Sequence, residues 1–344
     1  MEFTKEKTDV AKGVAICLMF CHHLYSFPDR LLNGNYYIPA IPFFDTEFYI
    51  GNFGNICISM FVFLSGYGMF LGYANSDKNS FQYSFKKIKD FYFTYWIYFL
   101  IFVPIGLIFF KDTTIWNSNE IRYSIDILTF FEGFIGWSAR YDSEWWFVRM
   151  FVLLLFLLSP VYLKLGKQNS ILLFLISISL YLFSYALKID YSSELGFVFW
   201  QVSFAVGILC ARLKFFSSSF IHYFENFKII WLFLYIILFF IIRLRIGAKI
   251  DFLFTPIFIY LVVRMIEGLK LSKILAYIGK YSFPMWLVHS FFCYYYFQDF
   301  IYSPKWSPLI FILLVSTSLL SVLFVENLRF HFQNFFANRG SVLR

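Results

Sequence analysis

The 344-residue chain reads as an all-α, polytopic membrane protein of about ten transmembrane helices. Three observations predict this. Residues of the AVILMFWYC set make up 60% and charged residues 15%, where soluble domains carry about 25% charged. Phe alone occurs 51 times, more apolar ring surface than a globule in water can hide, because a large share of its residues must face solvent. The charges also sit in short clusters between apolar runs close to the roughly 20 residues that a spanning helix needs. Together these exclude a soluble multidomain enzyme, a disordered chain, a collagen-like fibre and a coiled coil.

Taken in order, the candidate spans are approximately 11–27, 50–75, 91–110, 145–164, 170–187, 196–212, 228–247, 250–267, 281–301 and 307–327. The first has the length of a signal peptide, but it lacks a small-residue cleavage site and holds His22 and His23, so it is retained as a helix. The stretch 122–136 carries Arg122, Asp126 and Glu132 and is predicted to be interfacial or re-entrant. The longest stretch outside the spans, 111–144, mixes aromatic and charged residues. With no repeat, linker or soluble appendage evident, residues 1–344 are expected to form a single integral membrane domain.

Ten spans put both termini on one side. Lys and Arg favour that side by about two to one, which predicts cytoplasmic termini in the cell membrane, in contact with its lipid. The segment from Arg243 to Lys249 runs against this bias. A net charge of +8 and a pI near 9.1 invite a nucleic-acid reading. The bases form no stripe, so no nucleic-acid partner is predicted. Cys17, Cys21, Cys57, Cys210 and Cys293 all lie inside apolar runs without metal-ligand spacing in an aqueous loop. They read as buried thiols, and no metal is predicted.

Ionisable groups inside a bilayer are costly and are functional candidates by default. Lys12 and His23 stand eleven residues apart in the first span, which puts both on one helix face with a rise of about 16 Å between them. Lys12 is then expected near one interface and His23 near the midplane. That gap exceeds the reach of a lysine side chain, so the two would serve different ends of one long ligand, or unrelated tasks. A thioester such as acetyl-coenzyme A has the shape for the first case, with an anionic nucleotide, a long arm and a reactive carbonyl. Under the plainer alternatives Lys12 is an interfacial anchor paired with Asp9, and His23 is a helix-to-helix hydrogen bonder.

Several ordered motifs resemble the integral membrane acyltransferase-3 family. They begin with Asp9-x-x-Lys12-Gly13-x-Ala15-Ile16 and the His22-His23 pair. The second span ends in Ser65-Gly66-Tyr67, and Phe85-Lys86-Lys87-Ile88-Lys89-Asp90 precedes Tyr95-Trp96. Trp145-Trp146-Phe147 is followed by Ser159-Pro160, and Ile278-Gly279-Lys280-Tyr281-Ser282 leads into Trp286-Leu287-Val288-His289. The resemblance implies transfer of an acetyl or other short acyl group from acyl-coenzyme A, a donor co-substrate with no permanently bound cofactor, to a hydroxyl of a cell-surface polysaccharide or its lipid-linked precursor. It also implies that His23 is catalytic and that Lys12 and the cluster Lys86, Lys87 and Lys89 hold the donor. The family usually has arginines at these positions, and Lys86 and Lys89 keep the three-residue spacing of its third-span pair. Many relatives carry a Glu after the fourth-span Trp, where this chain has Arg149.

The residue chemistry suits this reading. A sugar hydroxyl is a poor nucleophile, and a neutral imidazole can take its proton during attack on a thioester; a transient acyl-imidazole is the second choice. The tetrahedral oxyanion needs donors in a dry site, for which Ser65 and Arg149 are candidates. Trp137, Glu144, Trp145 and Trp146 are candidates for holding the sugar, against a plain role for the rings in an interfacial aromatic belt. His289 reads as structural, His222 and His331 as surface residues. The rival from another class is a transporter or flippase for a lipid-linked saccharide, for which internal symmetry and paired broken helices are expected but are not evident. A peptidoglycan or lipid acceptor is a further alternative.

Overall fold

A computed structural model describes residues 3–116 and 118–342. Their regular secondary structure is helical, with two isolated bridges and no strand among the described residues. The helices are α1 (Lys5–Tyr25), α2 (Thr46–Gly54), α3 (Ile56–Ala74), α4 (Ser80–Phe109), α5 (Ile127–Phe134), α6 (Trp146–Leu153) and α7 (Ser159–Gln168). There follow α8 (Ser170–Ala186), α9 (Gly196–Arg212), α10 (Ser219–Glu225), α11 (Ile229–Ile246), α12 (Asp251–Gly268), α13 (Ser272–Lys280), α14 (Ser282–Ser290), α15 (Gln298–Tyr302) and α16 (Ser307–Val342).

All ten expected runs fall largely in helix, but five segments are long and apolar enough to cross a membrane by length and composition. They are Thr46–Ala74, Ser80–Phe109, Ser143–Gln168, Ile229–Ile246 and Ser307–His331. The count of about ten is therefore not reached by that measure. The shortfall has physical causes. Lys5, Glu6, Lys7, Asp9 and Lys12 crowd the start of α1, α8 and α9 have 17 residues each, the 18 residues of α12 include Asp251, Arg264 and Glu267, and the run at 281–301 is broken. There α14 passes into a π turn at Phe291–Tyr295 before α15 resumes. The eight residues of α5 cover about 12 Å, too short to span.

The ring of helices α1, α3, α9, α7, α4, α14 and α13, each packed on the next, encloses the centre of the molecule. The α1–α13 seam is the closest. A Cβ on Gly13 would stand 2.0 Å from the Leu275 carbonyl oxygen, and one on Gly279 would stand 1.8 Å from that of Asp9. Only glycine lets the two backbones meet this way, and the meeting sets Lys280 beside the Lys12 end of α1. Outside the ring, α8 lies on α9, α12 packs on α3, α9 and α11, and α16 packs on α14 and α1.

Arg243, one of the bases in the segment that runs against the charge bias, does not face water. Its guanidinium forks onto Asp251, with Nε to Oδ1 and Nη2 to Oδ2 both at 2.8 Å, and Nη1 donates to the carbonyls of Asn52 and Phe53 at the end of α2. A cation consumed by a buried partner and a helix C-terminus is a packing element.

Candidate active site

A cavity of about 910 Å³ lies inside the ring and reaches both ends of α1. At one end it is lined by Lys5, Asp9, Lys12, Lys87 and Lys280; at the other by His23, Arg30, Glu144, Trp146 and Tyr191. Apolar side chains such as Met19, Phe61, Leu64, Phe91 and Phe151 line the cavity as well. The shared face of Lys12 and His23 is thus the face of α1 that looks into the cavity.

Because α1 starts at Lys5 and stops at Tyr25, His23 stands in its last turn, where the expected span would put it near the midplane. The imidazole is buried. Its Nε2 is 3.5 Å from Glu144 Oε2, and its Nδ1 is 3.4 Å from the Tyr294 hydroxyl. The Tyr294 hydroxyl donates to the backbone carbonyl of His23 itself, so its hydrogen is committed and its oxygen can only accept from the ring. Once the imidazole takes a proton, each N–H has an acceptor oxygen to face. Tyr294 reaches this position from the π turn, an irregularity that helices often keep at functional sites.

Glu144 is also buried, and its Oε1 accepts from Arg30 Nη1 at 2.9 Å. The Arg30 guanidinium lies over the rings of Phe27 at 3.9 Å and Trp116 at 4.4 Å, so this cation is positioned by aromatic faces as well as by charge. Asp142 begins the turn Ser143–Trp145 and accepts the Glu144 amide at 2.9 Å. Ser290 donates its hydroxyl to the other Asp142 oxygen. Burial pushes the Asp142 carboxyl up to about 7, against the Ser290 hydrogen bond, which lowers it. Arg30, Glu144 and His23 thus form one chain of contacts ending on the cavity, with Asp142 fixing the backbone that carries Glu144.

The other histidines near the site differ. His22 lines the cavity, but its Nδ1 lies against the Gly51 carbonyl at 3.0 Å and the Ser26 hydroxyl at 3.1 Å. His289 is buried with Nδ1 against the Trp286 carbonyl at 2.7 Å, and its ring centroid is 4.8 Å from that of His23.

Of the expected donor cations, Lys12 and Lys87 line the cavity while Lys86 and Lys89 stand exposed outside it, Lys89 over the Phe85 ring at 4.9 Å. Lys12 is 3.3 Å from Asp9. Lys5 and Lys280 join the lining instead. Lys280 lies within the Gly279-Lys280-Tyr281-Ser282 motif, so it could have been singled out from the sequence.

Neither expected oxyanion donor is brought to His23. Ser65 lines the cavity wall about 14 Å along α3 from Ile56, toward the lysine end, with its hydroxyl donating to the Phe61 carbonyl at 2.7 Å. Arg149 lies outside the cavity lining, 2.8 Å from Glu194 and bonded to the Trp137 carbonyl at 3.0 Å.

Among the residues expected at the sugar, Glu144 and Trp146 line the cavity. Trp137 is exposed and off it, and Trp145 is buried beside it with Nε1 donating to the Leu287 carbonyl at 3.2 Å. Arg30 and Tyr294 were not anticipated. One comes from a loop and the other from a helix break, and neither carries a periodic signal.

No curated protein and no solved structure matches the chain. A family model described as an acyltransferase domain matches residues 6–326, a range that holds every residue of the cavity ends described above except Lys5. By that match, and with the buried His23–Glu144–Arg30 constellation at its centre, the chain belongs to the acyltransferase-3 family, whose members are membrane acyltransferases.

Proposed function

We propose that this membrane acyltransferase moves an acetyl or other short acyl group from acyl-coenzyme A to a hydroxyl of an exported polysaccharide or its lipid-linked precursor. The observation that carries the reading is the single cavity shared by Lys12, Lys87 and Lys280 at one end and His23 and Glu144 at the other. Eleven helical residues separate Lys12 from His23, about 16 Å, so a donor must be long, anionic at one end and reactive at the other. Acetyl-coenzyme A meets all three demands.

In the reaction the acceptor oxygen attacks the thioester carbonyl while His23 takes the hydroxyl proton. The tetrahedral intermediate collapses with cleavage of the C–S bond, and His23 returns the proton to the departing sulfur. Glu144, anchored by Arg30, holds and compensates the imidazolium formed between the two steps. Ionised groups held this way act strongly because the side chains of His23 and Glu144 are both buried.

In this reading the chain crosses the cell membrane about ten times with both termini cytoplasmic, so the lysine end opens where coenzyme A is made. The withdrawal of Arg243 into a buried ion pair supports that orientation, since it removes one of the bases that opposed it. The test is to replace His23 by Ala in the native host and measure base-labile acetate on the surface glycan, with thiol release from acetyl-coenzyme A by the purified protein as the second readout. Loss of both is expected; unchanged ester content overturns the reading.

A further inference from the structure

At the His23 end of the cavity, the segment 188–195 between α8 and α9 contributes Tyr191 and Ser192 to the lining. Nothing in the acyl-transfer chemistry above uses either. The segment is held firmly. Asp190 Oδ1 accepts both the amide and the hydroxyl of Ser192 at 2.9 Å, and Ser193 donates to the Asp190 carbonyl at 2.7 Å. Trp200 Nε1 donates to the Tyr191 carbonyl at 3.2 Å.

A further tie is Arg149. Its Nη1 lies 2.8 Å from Glu194 Oε1, and its guanidinium sits over the Trp137 ring at 5.6 Å. Arg149 stands one turn of α6 after Trp146, whose ring centroid is 6.3 Å from that of Tyr191 at an interplanar angle of 67°. One short helix therefore carries both the ring that faces Tyr191 and the cation that holds the loop presenting Tyr191.

Two rings set at an angle beside hydroxyl groups match a pyranose, which offers C–H bonds on its face and hydroxyls at its edge. Charge narrows the class further. Among the described residues lining this end, the charged ones are Arg30 and Glu144, and they neutralise each other. A uronate or a phosphorylated sugar would meet no free cation there.

We infer that segment 188–195 is the acceptor-recognition element, that it seats an uncharged glycosyl ring against Trp146 and Tyr191 with the Ser192 hydroxyl in reach, and that Arg149 is a positioning residue acting through Glu194. This rests on the acyltransferase reading and deepens it by naming the acceptor class.

The experiment uses the purified full chain, acetyl-coenzyme A, and de-esterified surface polysaccharide from a host lacking this protein. Tyr191→Ala, Arg149→Ala and Glu194→Ala are expected to raise the acceptor KM about ten-fold, with the donor KM unmoved. The charge swap Arg149→Glu with Glu194→Arg restores the acceptor KM to within about two-fold, which a general loss of structure would not. NMR of the product places the acetyl group on a neutral sugar.

An unmoved acceptor KM in Tyr191→Ala, a donor KM that shifts in parallel, a swap that fails to rescue, or acetate found on an acidic residue each overturns the inference. Failure of the underlying reading looks different: wild-type protein then transfers nothing, or His23→Ala transfers as well as wild type.

Discussion

At the Lys12 end of the cavity the cations are loosely held. Lys5 and Lys280 are exposed, and Lys12 meets Asp9 at 3.3 Å within its own helix. At the His23 end Arg30, Glu144, Asp142 and Tyr294 come from two loops, a short turn and a π turn, and each is fixed by a partner within the protein. On the proposed reading the contrast matches what each end would hold. A polyphosphate would be recognised by summed charge, which tolerates mobile lysines. A proton transfer would depend on placement to a fraction of an ångström, which a buried, cross-braced site supplies. The difference also predicts how each end responds to damage.

The largest effect is expected at the braced end. His23→Ala removes the proposed base and should lower kcat about 1000-fold with the donor KM little changed, within the usual range for a lost general base; a variant within about ten-fold of wild type would dissolve the contrast. Glu144→Gln keeps the volume but removes the charge facing His23 and Arg30, and should lower kcat about 100-fold. Restored activity in a variant that also carries Arg30→Met would reassign the loss to the stranded Arg30 cation.

The loose end should respond more gently. Lys12→Ala, Lys87→Ala and Lys280→Ala should each raise the donor KM about three- to five-fold, as loosely held ion pairs are worth about 1 kcal/mol or less, and the effect should shrink with added salt. Lys86→Ala and Lys89→Ala should leave it within about two-fold, because both stand outside the cavity lining. An equal loss from Lys86 or Lys89 would mean that the donor enters elsewhere.

The smallest effect concerns the brace itself. Buried Asp142 holds its proton up to a pH of about 7, whereas an unfolded Asp releases it near 3.9. The folded state therefore binds the extra proton between these values, so stability falls as pH rises from about 4 to 7 and levels off above. Melting in detergent should drop by a few degrees across that window and stay flat in Asp142→Asn, whose amide oxygen still accepts the Glu144 amide. Melting in Asp142→Asn that depends on pH as steeply as wild type would remove Asp142 from the account.

Much of the helical layout was legible because hydropathy and period are local properties. The face shared by Lys12 and His23 needed only 3.6 residues per turn, and the ordered motifs pointed to the family that the match over residues 6–326 establishes. Other features were less legible. Charge at the start of α1 and the π break after α14 spoil the simple count of spans. Arg149 looked catalytic from its place in a span, yet the fold turns it onto Glu194. Glu144 was expected at the sugar, and the fold sets it against His23 as well.

The sequence by itself determined a helical membrane protein and placed a lysine and a histidine along one face, because each of these follows from neighbours within a few turns. Only the tertiary structure decided that Arg30, Glu144 and Tyr294 surround that histidine, and that Lys280 joins Lys12 across a glycine-lined seam. Those meetings join residues more than a hundred positions apart. They depend on where helices stop, bend and touch, and no local pattern along the chain encodes them.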